Sequence, residues 1–350
     1  MSLASYLRAA PKVELHVHLE GAIRPATLLE LARRNRVDLP ADTVDGLRQW
    51  FVYRDFKHFI EIFVAATSCL CTAEDYELIV YEFGAEMARQ NVRYAEVTFS
   101  PSTHVWMGRP WEMVFRGITR GRERAEAEFG IRIRWIFDIV RGVSDASTLM
   151  PKADFTADVA IDGKGAGVVA LGLGGMEDGA PPEPFAPQFA RARSAGLHSV
   201  PHAGEHAGPD SIWGAIRSLG AERIAHGVRA IEDPALVAYL AERRIPVDVC
   251  PTSNICLGVY PDLDAHPLRR LREAGIVVTI NSDDPPLFNT TLNDEVALLA
   301  GVFGFDADTI DVILLGGVRA AFLTQEEARS LASGFQNEMQ RLKAVHLGQP

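Results

Sequence analysis

Several things are scarce in this chain, and each scarcity excludes something. Only Cys69, Cys71, Cys250 and Cys256 occur among 350 residues, with no CxxC pair, so neither a disulfide framework nor a cysteine metal site is expected. These thiols read as small buried core residues of a protein in a reduced cytoplasm. No run of ~18 apolar residues is present, and the opening segment from Ser2 to Arg8 has no apolar core of signal-peptide length. Neither export nor a membrane span is expected. Excess positive charge is missing too: the formal charge is -11 and no Lys/Arg stripe interrupts it, which argues against nucleic acid and anionic membranes as partners. A small-molecule substrate fits better. With 47% apolar and 23% charged residues, the chain has ample material for a packed core.

What is present is a repeating order. Short β-branched or apolar runs recur at Val13–His18, Val92–Phe99, Ile131–Val140, Val168–Leu173, Leu197–His202, Arg223–His226, Ile245–Val249 and Ile276–Ile280. Segments of helical periodicity separate them. Pro234 to Arg243 is one, with Pro in the first turn and Asp233 placed to cap it. Such alternation predicts parallel strands joined by crossovers, and eight units predict an α/β fold of the distorted (β/α)8 TIM-like barrel type. Residues 19–91 are too long for one crossover. Their periodicity, at Pro25–Arg36 and Arg54–Arg89, predicts a helical insertion covering the barrel mouth inside a single domain of residues 1–350. Phe51, Tyr53, Phe56, Phe59 and Phe63 read as the core of those helices, some of them also as an apolar wall of the pocket. Gly174 to Pro182 reads as loop, and Gln325 to Arg329 as the start of a closing helix.

The chemistry gathers at strand ends. On a strand His16 and His18 point to one face while Leu15, Val17 and Leu19 point to the other, so two imidazoles converge. That pair alone is equally an ordinary polar strand pattern. His202 after the fifth run and Asp283 after the eighth complete a nitrogen and oxygen donor set that leaves a position open for water, as a hydrolytic zinc site requires. The set can meet only if the sheet closes and brings its last strand beside the first. Glu205 reads either as a carboxylate at the positive end of a helix or as a general acid kept protonated by an apolar pocket. His226 reads as a core histidine or as the group that orients or deprotonates a metal-bound water. Asp284 either caps the turn before Pro285 or anchors that water or a ring nitrogen. Gly172-Leu173-Gly174-Gly175 offers backbone N–H groups to a flat heterocycle. No lysine lies on the fourth strand, which disfavours two metals bridged by a modified lysine. His206, His198, His58, His104, His266 and His346 lack partners at ligand spacing and read as ordinary positions.

Lys12-Val13-Glu14-Leu15-His16-Val17-His18-Leu19-Glu20-Gly21, His202-Ala203-Gly204-Glu205, His226-Gly227, Cys250-Pro251-Thr252-Ser253-Asn254 and Ser282-Asp283-Asp284-Pro285 together resemble the adenosine deaminase family, in order, from about residue 10 to 330. The resemblance implies a mononuclear zinc enzyme, one Zn2+ per chain, that hydrolyses the 6-amino group of a purine. It implies that His16, His18, His202 and Asp283 hold zinc, that Glu205 protonates N1, and that His226 and Asp284 position and activate the nucleophile. It also implies substrate contacts from His18, Glu20, Asp284 and the Gly175 N–H, the last to N3. Glu20 stands where adenosine deaminases usually have the Asp associated with ribose, and Gly172-Leu173-Gly174-Gly175-Met176-Glu177 stands where they have Asp-Leu-Ala-Gly-Asp-Glu. The Ser-Ser-Glu-like segment of adenine deaminases is missing as well. A third branch acts on 6-aminodeoxyfutalosine, and small residues at the pocket edge leave room for its 5′ substituent.

The expected reaction is therefore hydrolytic deamination of an adenine nucleoside, adenosine or a 5′-substituted relative such as 6-aminodeoxyfutalosine. Alternatives are deamination of free adenine, another metal-dependent amidohydrolase reaction, or a non-catalytic purine-binding or signalling relative. His/Asp ligation also suits iron or cobalt.

Overall fold

A computed structural model describes residues 2–142 and 146–348; the side chain of Phe56, read above as core, lies outside what is described. Eight strands form the sheet: β1 Lys12–His18, β2 Val92–Phe99, β3 Arg132–Arg141, β4 Val168–Gly175, β5 His198–Ala203, β6 Ile224–His226, β7 Val247–Val249 and β8 Val278–Ile280. Their order around the sheet is their order in sequence, and every neighbouring pair is parallel. Closure comes just past β8. Asp283 donates its N–H to the His16 carbonyl at 3.0 Å and accepts from the His18 N–H at 2.9 Å. The seam of the (β/α)8 barrel is thus stitched by the same residues that carry the strand-end chemistry.

All eight expected strands are present, with shifts that have a local cause. β5, β7 and β8 begin later than the apolar runs because the N–H groups of Leu197, Ile245 and Ile276 still bond to carbonyls of the preceding helices, those of Ala192, Leu240 and Leu271. The glycines after Leu173 correct the sequence reading in the other direction. Gly174 and Gly175 are not loop but the last pairs of β4, opposite Val140 and Arg141, and the irregular segment begins only at Met176.

The barrel interior is filled below its mouth. Ile136, Ala170, Val200 and Ala225 make one apolar layer, with Phe322 packed against it. Near it the buried Arg223 guanidinium bonds Glu96 at 2.6 Å, Asp248 at 2.7 Å and the Ala320 carbonyl at 2.9 Å. A buried cation with this many acceptors is stable where a lone one would not be. An open pocket lies at the C-terminal ends of the strands, where barrel enzymes place their sites.

Helices Pro25–Asn35, Val44–Trp50, Phe56–Ser68 and Ala73–Arg89 fill the stretch between β1 and β2. The last is the crossover helix of the outer ring. It packs so closely on Trp111–Phe129 that a β-carbon at Gly117 would lie 2.5 Å from the Ala73 carbonyl oxygen. The helix Phe56–Ser68, capped by Asp55, contributes Phe59, Ile60, Phe63 and Val64 to the lining of the mouth, while Phe51 is core and Tyr53 half-buried. Asp233 caps Pro234–Arg243 through the Ala235 N–H as its position suggested, and the closing helix runs Gln325–Leu347. Cys69 and Cys71 lie just beyond the end of the helix Phe56–Ser68, and all four cysteines are free. No helix among the described residues is long and apolar enough to cross a membrane.

Candidate active site

His16 and His18 enter the barrel from β1, His202 from β5, and Asp283 from the turn after β8. Asp283 Oδ1 lies 3.4 Å from His16 Nε2 and 3.3 Å from His18 Nε2, and His18 Nε2 lies 3.3 Å from His202 Nε2. Bonds of about 2.0–2.1 Å to one tetrahedral ion would set ligand atoms roughly 3.3–3.4 Å apart, so the spacing fits a single small cation. The donors are also short of protein partners: both His16 ring nitrogens and His202 Nδ1 are buried without a hydrogen bond among the described residues. Burial and the neighbouring imidazoles hold His202 well below its ordinary pKa, in the neutral form a metal needs. Cys250 Sγ also falls at ligand spacing from His16 and Asp283, but burial pushes its thiol far up and keeps it protonated.

The neighbouring carboxylates are split. Although burial raises Asp283, the close His16 imidazole and the charges of His16, His226 and His18 hold it well below the usual range. Burial, and then Asp283 itself, push Asp284 well above it. Adjacent acids pushed apart in this way can take different roles. Ser253 adds a 2.6 Å hydrogen bond to Asp283 Oδ2. Asp283 and His226 both hold left-handed backbone, φ 61° and 62°, an arrangement that costs a non-glycine residue about 1 kcal/mol or more and persists where the surroundings impose it.

Glu205 follows His202 by one tight turn. Its Oε1 is 3.5 Å from His226 Nε2 and its Oε2 is 3.3 Å from His206 Nδ1. This corrects two expectations. His206 is not a bystander, and Glu205 is not held protonated by an apolar wall: burial raises its pKa, but His226 and His206 outweigh that and bring it below the ordinary value. Its backbone is fixed by Glu177, whose carboxylate accepts the N–H groups of Gly204, Glu205, His206 and Ala207 at 2.6, 3.0, 2.8 and 3.0 Å. On the other side His226 Nδ1 lies 3.3 Å from Asn254 Nδ2, and Asn254 Oδ1 lies 3.0 Å from His266 Nε2. His266 is a second histidine that the sequence left without a partner.

Glu20 is buried. Its Oε1 accepts the Ser100 N–H at 3.1 Å and lies 3.0 Å from His104 Nε2, whose other nitrogen meets the Tyr76 hydroxyl at 2.8 Å. His104 is thus partnered, contrary to expectation. The acid that does line the pocket on this side is Asp138 of β3, missed in the sequence because nothing local marks it. Ser100 Oγ donates to Asp138 Oδ1 at 2.7 Å, and burial raises the carboxyl to about 6 despite the nearby His18. His18 itself is lowered by burial, yet Asp284, Asp283, Asp138 and Glu20 outweigh this and bring it to about 9.

His18, Asp138, His202, Glu205, His226, Asp283 and Asp284 share one pocket at the open mouth of the barrel. Its floor has His18, His202, His226, Asp283, Asp284 and Glu205; its wall has Phe59, Ile60, Phe63, Val64 and Leu257. Gly175 closes the β4 side with φ +86°, and a β-carbon there would lie 2.4 Å from the Arg141 carbonyl oxygen, so only glycine lets the backbone line the cavity at this point. The expected apolar wall is therefore real for Phe59 and Phe63.

A closed parallel barrel with imidazoles and carboxylates converging at its strand ends defines a hydrolase of the amidohydrolase type. Within that class the chain belongs to the adenosine deaminase family: the family profile described as adenosine deaminase matches residues 11–338. It is 43% identical over 323 residues to an aminodeoxyfutalosine deaminase of Streptomyces coelicolor, covering 92% of this chain and 82% of that protein. An adenine deaminase of Cupriavidus taiwanensis is 39% identical over 332 residues, 95% of this chain and 93% of that one. Among solved structures, a zinc-bound amidohydrolase from Burkholderia ambifaria superimposes with TM-score 0.90 at 28% identity, covering 100% of this chain and 96% of that one. The protein is a hydrolytic deaminase, and its relatives support a purine as the molecule it acts on.

Proposed function

We propose that this enzyme removes the 6-amino group of an adenine nucleoside by zinc-dependent hydrolysis, and that its substrate carries an extended 5′ substituent, as 6-aminodeoxyfutalosine does. The observation that carries the chemistry is the meeting of Glu205, His226 and Asp283 within 3.5 to 3.8 Å at the floor of a cavity with an apolar wall. The 43% identity to the aminodeoxyfutalosine deaminase supports the substrate.

A zinc ion held by His16, His18, His202 and Asp283 would supply a water acidified from about 16 towards roughly 7. The rest falls to the protein. The aminopurine lies flat under Phe59 and Phe63, with N1 at Glu205, N3 at the Gly175 N–H, and the opposite ring edge at Asp284. Displacement of solvent by the ring raises the proton affinity of Glu205, because desolvation disfavours its charged form. Glu205 then gives its proton to N1, making C6 electron-poor, while His226 takes the proton of the attacking water as its oxygen bonds to C6. When the C6–N bond breaks, the leaving nitrogen takes the proton held by His226, Glu205 recovers one from the new oxygen, and ammonia and the 6-oxopurine remain. Protons and oxygen balance with one water consumed.

Free adenine is the second reading, favoured by the 39% identity to an adenine deaminase. Assaying adenosine, 2′-deoxyadenosine, adenine and 6-aminodeoxyfutalosine side by side, by the absorbance change as the amine leaves, tests the proposal. Highest kcat/KM on the 5′-extended nucleoside is expected; action on adenine alone would reject it.

A further inference from the structure

We propose that Asp138 is a specificity-determining residue whose carboxylate accepts a hydrogen bond from a sugar hydroxyl of the substrate. The inference rests on the nucleoside reading above and names the group that enforces it. Three observations carry it.

First, Asp138 lines the catalytic pocket, 2% exposed, beside Ser100 and Thr103, and no lysine or arginine shares that lining. Ser100 Oγ satisfies one oxygen at 2.7 Å. Oδ2 reaches across β4, where a β-carbon at Gly174 would stand 2.4 Å from it. An ionised carboxylate that lines the cavity only accepts hydrogen bonds, so a donor from the ligand is its physical complement. Backbone space at Gly174 and Gly172 keeps the carboxylate where it is; a β-carbon at Gly172 would be 2.9 Å from Asp138 Cβ.

Second, the order of strands matches the order of atoms around a purine. With N1 at the turn after β5 and N3 at the end of β4, the next ring nitrogen along the same edge is N9, which bears the sugar. The next strand is β3, and its end presents Asp138.

Third, Glu20 stands outside the pocket. Its Oε1 is taken by the Ser100 N–H and His104, its Oε2 is buried without a hydrogen bond among the described residues, and it is not part of the pocket lining. Ser100 ties the two acids together, holding Glu20 with its backbone and Asp138 with its hydroxyl. The acid that meets the sugar is therefore Asp138, with Glu20 behind it.

The test is a substrate and mutant cycle on the metal-loaded enzyme. Wild type and Asp138→Asn are assayed with adenosine, 2′-deoxyadenosine, 3′-deoxyadenosine and adenine, recording kcat and KM separately, with bound metal and melting temperature measured on each protein. A hydrogen bond to a charged group corresponds to a loss of roughly 10- to 100-fold in kcat/KM on adenosine for Asp138→Asn. Removing the correct hydroxyl should cost wild type about as much and the variant almost nothing further, and Ser100→Ala should give a weaker effect in the same direction. Additive losses would overturn the assignment, as would a loss confined to adenine, which would mean that the carboxylate reads the N9–H of the free base. Absence of nucleoside turnover in wild type would instead reject the nucleoside reading itself, before any variant is compared.

Discussion

A β-carbon on Gly21 would stand 1.6 Å from Asp284 Oδ1. The segment after β1 therefore passes the catalytic floor with only a hydrogen at the point where Asp284 sits, and the Gly21 position is set by a neighbour more than two hundred and fifty residues away in sequence. Gly21→Ala should displace Asp284 while leaving the barrel folded. Misplacement of a reacting group by about 1 Å costs on the order of 100-fold in rate, so kcat should fall at least that far with bound metal retained. A variant with normal kcat would show that Asp284 need not occupy this place.

Glu205→Gln keeps shape and removes the proton. General acid catalysis contributes ~100- to 10,000-fold, and turnover should drop within that span at unchanged metal content. Near-normal turnover would remove Glu205 from the role.

Glu177 acts through Glu205. Its carboxylate gathers four consecutive N–H donors from Gly204 to Ala207, and an amide in its place would turn donors against donors. Glu177→Gln should lower kcat by roughly 10- to 100-fold, the equivalent of a lost charge-assisted hydrogen bond, with a smaller change in KM. Partial recovery in Glu177→Asp would distinguish loss of the carboxylate from general disruption; equal damage in both variants would count against a positioning role.

Asp75 sets a pH-dependent part of the stability. The residue is fully buried and accepts N–H groups from Cys71 and Thr72 and the Asn35 amide, and it pairs with Arg34 at 3.0 Å. Burial raises its pKa, but these hydrogen bonds outweigh it and leave it below the ordinary value. A folded pKa below the unfolded value of about 3.9 gives stability that is present above that pH and is lost as pH falls through the lower folded pKa. Asp75→Asn should therefore be less stable than wild type by about 1–3 kcal/mol at neutral pH. Denaturant titrations should show the gap closing below about pH 4; a gap independent of pH would contradict a charge-dependent cause.

The strands were legible because each is a short apolar run bounded by turn residues, and barrel closure was legible because His16, His18, His202 and Asp283 make sense together only if β8 meets β1. The four residues do converge. Less could be read where position depends on pairing between distant strands. Nothing around Asp138 distinguishes it from other strand acids, and only β2 and β4 turn it into a pocket residue held by Ser100 and spared by Gly174. His104, His206 and His266 were passed over because their partners Glu20, Glu205 and Asn254 come from helices and turns whose packing the sequence does not display. The proton state of Glu205 was misread for a related reason: burial was visible as an apolar setting, but the two imidazoles that offset it were not.

One zinc ion should join the ends of the first, fifth and eighth strands. Anomalous scattering at the zinc absorption edge, from crystals of the zinc-loaded enzyme, measures this directly. A single peak is expected, bonded at about 2.0–2.1 Å to the imidazoles of His16, His18 and His202 and to Asp283. Two peaks in the pocket, or one that excludes Asp283, would contradict it.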